Sequence, residues 1–166
     1  MTSPGGYVLD ANVFIEAHRR YYTFDICPGY WAALLTHHKS GRIGSIERVG
    51  DELLGQGDAL AQWAQALPRS FFAVTGDPSV AGEFGGIMTW VYAQTQYFDP
   101  AKAAFAAGAD GWLVAYARVH GLTVVTQEGS SPAVRNRVPI PNVCVAFGVH
   151  WINTFAMLRA LGVAFR

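Results

Sequence analysis

Two short apolar runs constrain this chain most. Tyr7-Val8-Leu9 and Leu122-Thr123-Val124-Val125-Thr126 read as buried strands, each followed at once by polar residues. A long, mostly helical stretch separates them. Strands separated in this way cannot form a hairpin, so they predict a parallel sheet with helices on its faces.

The remaining pattern fits that plan. Asn12 is a good N-cap and opens a segment with Val13, Phe14 and Ala17 at helical spacing, giving strand, tight turn, helix. Helices are expected at 28–39, 47–54, 58–67, 78–96, 100–107, 109–120 and 153–161. Prolines stand near several of their starts, and Gly41, Gly55, Gly121 and Gly162 follow several of their ends. Gly85-Gly86 marks a weak point in the fourth of these helices. Ile43 to Ile46 reads as a very short strand, and Val143-Cys144-Val145-Ala146-Phe147 as another. No repeat or linker divides the chain, so one domain is expected over 1–166.

Composition narrows the function. Hydrophobic residues make up 51% and charged residues 14%, which excludes a disordered chain. Twelve basic residues balance twelve acidic ones, so a surface basic all over is excluded, though a local patch is not. Cys27 and Cys144 cannot make a disulfide framework. Met1-Thr2-Ser3-Pro4 lacks the basic start of a signal peptide, and no run reaches the roughly 18 apolar residues that cross a membrane. A cytoplasmic location is the expectation.

With so few acids, their positions are informative. Asp10 closes the first strand, Glu128 follows the strand 122–126, and Asp110 opens the helix that feeds that strand. Ligands of open parallel sheets bind at the carboxyl ends of the strands. Glu52, within an early helix, is a fourth candidate, with Asp51 beside it. Clustered carboxylates repel one another and call for a hard cation, Mg²⁺ or Mn²⁺. Each acid also has a plainer reading. Asp10 can cap a helix, Asp110 can favour a helix dipole, and Glu52 can be a solvated helix residue. Asn12 can be a cap and Thr126 an ordinary strand residue.

The same residues carry a resemblance. Tyr-Val-Leu-Asp10-Ala-Asn12-Val-Phe resembles the opening of PIN-domain nucleases of the VapC-like kind. Ala109-Asp110-Gly-Trp-Leu-Val-Ala-Tyr-Ala and Thr-Val-Val-Thr126-Gln-Glu128 are similar to that family's third and fourth acidic motifs, and Glu52 in Val-Gly-Asp-Glu-Leu matches the second. Arg20-Tyr-Tyr-Thr-Phe-Asp-Ile-Cys-Pro-Gly-Tyr-Trp31 and Val138-Pro-Ile-Pro-Asn-Val-Cys144 resemble a bacterial subgroup, DUF4411. The resemblance implies a PIN-like α/β/α sandwich with a central, mostly parallel sheet. It also implies a Mg²⁺- or Mn²⁺-dependent endoribonuclease, often the toxin of a toxin–antitoxin pair. Asp10 and Asp110 would be direct metal ligands, and Glu52 and Glu128 direct or water-mediated ones. Asn12 and Thr126 would hold the carboxylates or a metal-bound water by hydrogen bonds. Glu128 stands where many relatives have Asp, and its longer arm suits an indirect role. The runner-up is an inert PIN-like module that binds RNA or protein.

Partners follow from the same reading. An RNA substrate needs cations, and Arg135 and Arg137 in the loose stretch after Glu128, with Arg20 near the first motif, are candidate phosphate guides. An antitoxin protein and a homodimer are expected partners, with five Trp and so many apolar residues supplying surface for them. Other features fit bland roles. His37-His38 has no partner at zinc spacing. The cysteines read as buried hydrophobes. Gly41-Arg-Ile-Gly44 lacks the Lys-Ser/Thr of a phosphate loop.

Overall fold

The computed structural model describes residues 6–165. The reading of Met1–Pro4 lies outside the described residues. Five short strands, β1 (Tyr7–Leu9), β2 (Ile43–Ile46), β3 (Phe72–Ala73), β4 (Thr123–Val125) and β5 (Trp151–Ile152), form one sheet. Their order is β3-β2-β1-β4-β5, and every pairing is parallel. The helices between them are α1 (Ala11–Glu16), α2 (Pro28–Lys39), α3 (Glu47–Leu54), α4 (Ala59–Ala66), α5 (Pro78–Ala93), α6 (Asp99–Ala107), α7 (Asp110–His120), α8 (Ile140–Phe147) and α9 (Thr154–Ala160). The expected α/β class, with a central parallel sheet flanked by helices as in a PIN-like sandwich, is what the chain adopts.

The strand order decides where a site can lie. From β1 the chain steps to β2 and β3 on one side. It then returns through α5, α6 and α7 to β4 on the other side of β1, and continues to β5. Successive connections therefore run in opposite directions from the β1–β4 pair, which leaves a crevice at the carboxyl ends of these two strands. Leu9 lies opposite Val125, so the residues that follow each strand, Asp10 and Thr126, emerge side by side.

Burial explains why these segments hold together. Val8, Leu9, Ile46, Val124 and Val125 are almost fully buried in the sheet. Phe14 of α1 packs against Trp63 and Phe71, with ring centroids 5.9 and 6.1 Å away. Trp31 joins Trp63 at 4.7 Å. All five Trp are therefore held in or against the apolar core, and Trp112 also stacks on Phe84 at 4.0 Å. None of the described helices is long and apolar enough to cross a membrane.

Three expectations need correction. Residues 143–147 are not a strand but most of α8. Pro141 sits in its first turn, where no amide donor is required, and Gly148 stops it at φ 68°. Ile140, Val143 and Cys144 are buried together at helical spacing, while Val145 is 70% exposed. Asn12 does not open α1. Asp10 occupies the N-cap position, and Asn12 lies inside the first turn. Gly85-Gly86 causes no break, because α5 runs straight through it. The strands β3 and β5, two residues each, had no recognisable signal.

Candidate functional site

The crevice between β1 and β4 gathers the acids. Asp10 is 3% exposed. Its amide donates to the Val125 carbonyl (2.9 Å), and its own carbonyl accepts from the Val13 amide (3.0 Å), so its backbone bridges both strands and starts α1. Its side chain makes no capping hydrogen bond, which sets aside the plain capping role. Instead the Thr126 hydroxyl donates to Asp10 Oδ2 at 3.0 Å. The same oxygen, Thr126 Oγ1, accepts from the Glu128 amide at 3.1 Å. One fully buried hydroxyl thus links the ends of β1 and β4.

Asp110 begins α7 without capping it, and is mostly buried. The helix can approach closely because residue 111 is glycine. A Cβ there would lie 2.9 Å from Phe84 and 3.1 Å from Phe105. Gly50 plays a similar part in α3, lying against the Phe72 ring one turn before Glu52's neighbour Leu53 is buried. Arg48, also on α3, covers the face of Trp112 in α7 at 4.4 Å, tying together the helices that carry Glu52 and Asp110.

The four carboxyl groups share one electrostatic environment. Burial pushes Asp10 well above the usual carboxylate range. Asp110, Glu128 and Glu52 push it the same way, and among the described residues only the Thr126 hydrogen bond opposes them. Asp110 is pushed up to about 7, first by burial and then by Glu128 and Glu52. Burial also raises Glu52 and Glu128, against the Ile140 amide and Arg137 in the second case. Among the described residues no Lys, Arg or His forms an ion pair with Asp10, Glu52 or Asp110. Asp51, one residue from Glu52, does not figure among the charges acting on Asp10 or Asp110.

Glu128 is held differently. Its Oε1 accepts from Arg137 at 3.0 Å and from the Ile140 amide at 3.4 Å. Among the described residues the acids do not close into a ready coordination shell of three or more ligands.

Beside Glu128 and Arg137 opens a cleft of about 490 Å³, into which Asn12, Gln127 and Asn153 also face. Asn12 makes no hydrogen bond to Asp10, whereas Thr126 makes its bond. Arg20 pairs with Glu16 at 3.3 Å and Arg135 covers the ring of Phe98 at 4.8 Å, so these two candidate phosphate guides, like Arg137, already have partners. Sequence reasoning missed Gln127 and Asn153 as cleft residues. Gln127 directly follows Thr126, but Asn153 follows β5, a strand too short to read.

Fold and site together define a parallel α/β protein with mutually repelling carboxylates around a buried Asp10 at its switch point, Asp110 and Glu128 partly buried and Glu52 exposed. Over residues 7–165 the chain matches the family described as "Domain of unknown function (DUF4411)", and it belongs to that family. No curated protein matches the chain.

Proposed function

We propose that this protein is a Mg²⁺- or Mn²⁺-dependent PIN-like endoribonuclease that hydrolyses RNA phosphodiester bonds. The observation that carries this reading is Asp10, buried beside three other acids with one hydroxyl donor and, among the described residues, no cation paired with it. A buried charge without a counter-ion is costly, and a hard divalent cation supplies what is missing. The donor set fits such an ion, because it is all oxygen with no soft ligand. Asp10 and Asp110 would hold it, with Glu52 and Glu128 completing the site directly or through water. When bound, the ion would make water nucleophilic near neutral pH and stabilise charge on the phosphate. Thr126 fixes the Asp10 carboxylate, and Arg137 balances Glu128 until substrate or metal takes over.

The reading extends to a toxin held in check by an antitoxin protein, and to a homodimer. Ile26, Val74 and Val145, each at least 70% exposed, are apolar surface that a partner would cover. A basic antitoxin segment entering the crevice would compete with metal for the carboxylates. The Arg137–Glu128 ion pair favours a second reading, a catalytically inert PIN-like binding module, since it occupies one of the four acids.

Cleavage of a labelled structured RNA across a Mn²⁺ titration tests the proposal. Wild-type activity should vanish in EDTA. Asp110→Asn should be slower by about tenfold or more, with partial recovery at high metal, as expected when a metal ligand is lost. Activity that survives EDTA, or an Asp110→Asn protein as fast as wild type, would overturn it in favour of the binding module.

A further inference from the structure

The cleft beside Glu128 contains more than the proposed hydrolysis needs. Six side chains around it, Asn12, Glu16, Tyr21, Gln127, Asn153 and Phe155, combine an aromatic surface with carboxamides and a carboxylate. We infer that this cleft seats one unpaired guanine base of the RNA, next to the bond to be cut. The inference rests on the nuclease reading above and gives it a sequence preference.

The aromatic part comes from a change of helical geometry. After α1 the chain widens into a π-helical turn, Ala17–Tyr21, closed by the Tyr22 amide donating to the Ala17 carbonyl at 2.7 Å. Tyr21 ends that turn with 49% of its surface exposed. Its ring meets Phe155 of α9 edge-on, with centroids 5.7 Å apart and planes at 81°. Phe155 is in turn braced by Tyr22 at 6.5 Å. An exposed ring held by a second, supported ring is a platform on which a base can stack.

The polar part selects the base. Gln127 Oε1 accepts from the Thr154 amide at 3.2 Å, and Asn153 Oδ1 accepts from the Ala156 amide at 2.8 Å. Both oxygens are thereby engaged, and the two NH₂ groups remain as donors. Glu16 is acceptor-only when ionised, and Arg20 engages only its Oε2. Guanine matches both demands. Its N1–H and N2–H₂ form a paired donor edge for a carboxylate, and its O6 and N7 accept from amides. Adenine, cytosine and uracil lack that paired donor edge. The edge is open only in an unpaired base, so the substrate is single-stranded at this position. The cleft volume lies in the range of small-ligand sites. Arg137, half-exposed at the cleft wall, has guanidinium donors beyond the one on Glu128 for the adjoining phosphate.

The test is binding of labelled heptanucleotides in EDTA, followed by fluorescence anisotropy. Oligouridylate with a central G should bind about fivefold or more tightly than the same strand with a central A, C or U. Tyr21→Ala should weaken binding of the G strand by about five- to a hundredfold, the effect of losing one stacked base, while Tyr21→Phe should retain it. Glu16→Ala should bring the preference for G over A close to one. Equal affinity for all four strands, or unchanged binding by Tyr21→Ala, would overturn the inference. GMP binding as tightly as the G strand would overturn the RNA assignment in favour of a free nucleotide. The assay contains no metal, so a protein that prefers guanine but never cuts RNA would overturn only the nuclease reading. A protein that cuts with no preference would overturn only the guanine pocket.

Discussion

Thr126 is the residue on which the crevice turns. Its hydroxyl donates to Asp10 and accepts from the Glu128 amide, so replacing it with valine keeps the volume and removes both bonds. Thr126→Val should therefore lower metal affinity by about tenfold or more, as loss of a group supporting a metal ligand commonly does. Calorimetric titration with Mn²⁺ checks this, and unchanged affinity would show that Asp10 needs no such support. The acids also predict a pH dependence. Asp110 is raised from 3.8 to about 7 in the folded protein, so the folded state binds more protons than the unfolded state between those values. Its contribution is fully present below about pH 4 and is lost as pH rises through about 7. Asp10 is raised too and acts in the same direction. The lowered acids, Asp25 and Asp77, change charge below this window, and Cys144, pushed up to about 12 by burial, changes above it. Without metal, the urea midpoint should fall between pH 5 and pH 8, and Asp110→Asn should flatten the fall. A midpoint that rises over this range would contradict the electrostatic account.

Among the elements, the start of α7 shows how packing positions chemistry. Gly111 leaves no room for a methyl group, since Phe84 is held by its stack on Trp112 and cannot swing aside freely. Gly111→Ala should destabilise the protein by about 1–3 kcal/mol, the usual cost of overpacking. It should also reduce Mn²⁺ affinity, because the displaced helix carries Asp110. Denaturant midpoints paired with metal titration test both effects, and a loss of neither would mean that α7 adjusts at no cost. The helix α8 teaches the converse lesson about reading segments. Val143-Cys144-Val145-Ala146-Phe147 has strand-forming residues but no alternation of polar and apolar. Pro141 and Gly148, the helix punctuation at its ends, outweigh β propensity once Ile140, Val143 and Cys144 can pack as one stripe.

For the whole molecule, the strand order β3-β2-β1-β4-β5 is the decisive feature, because it brings together acids from four distant parts of the chain. If they share a cation, its binding stabilises only the folded state. At about 100 times its Kd the gain should be roughly 2.7 kcal/mol. The melting temperature should rise with millimolar Mn²⁺, and Asp10→Asn should lose most of the rise. An equal rise in both proteins would place the metal elsewhere.

The sequence by itself determined the class of fold. Short apolar strands ending in acids, separated by helices with prolines and glycines at their ends, are local patterns, and local patterns are visible along a chain. It also singled out Asp10, Asp110 and Glu128 by their places at or beside strand ends, where parallel sheets bind ligands, and Glu52 and Thr126 by the motifs around them. Only the tertiary structure decided the rest. β3 and β5 form because neighbouring strands offer them hydrogen bonds, not because two residues carry a signal. Arg137 meets Glu128, Arg135 meets Phe98 and Asn12 opens to the cleft through contacts made when separate segments pack. The Tyr21–Phe155 platform joins residues from opposite ends of the chain. No spacing along the sequence encodes such encounters, since they depend on the three-dimensional path that brings distant segments to one crevice.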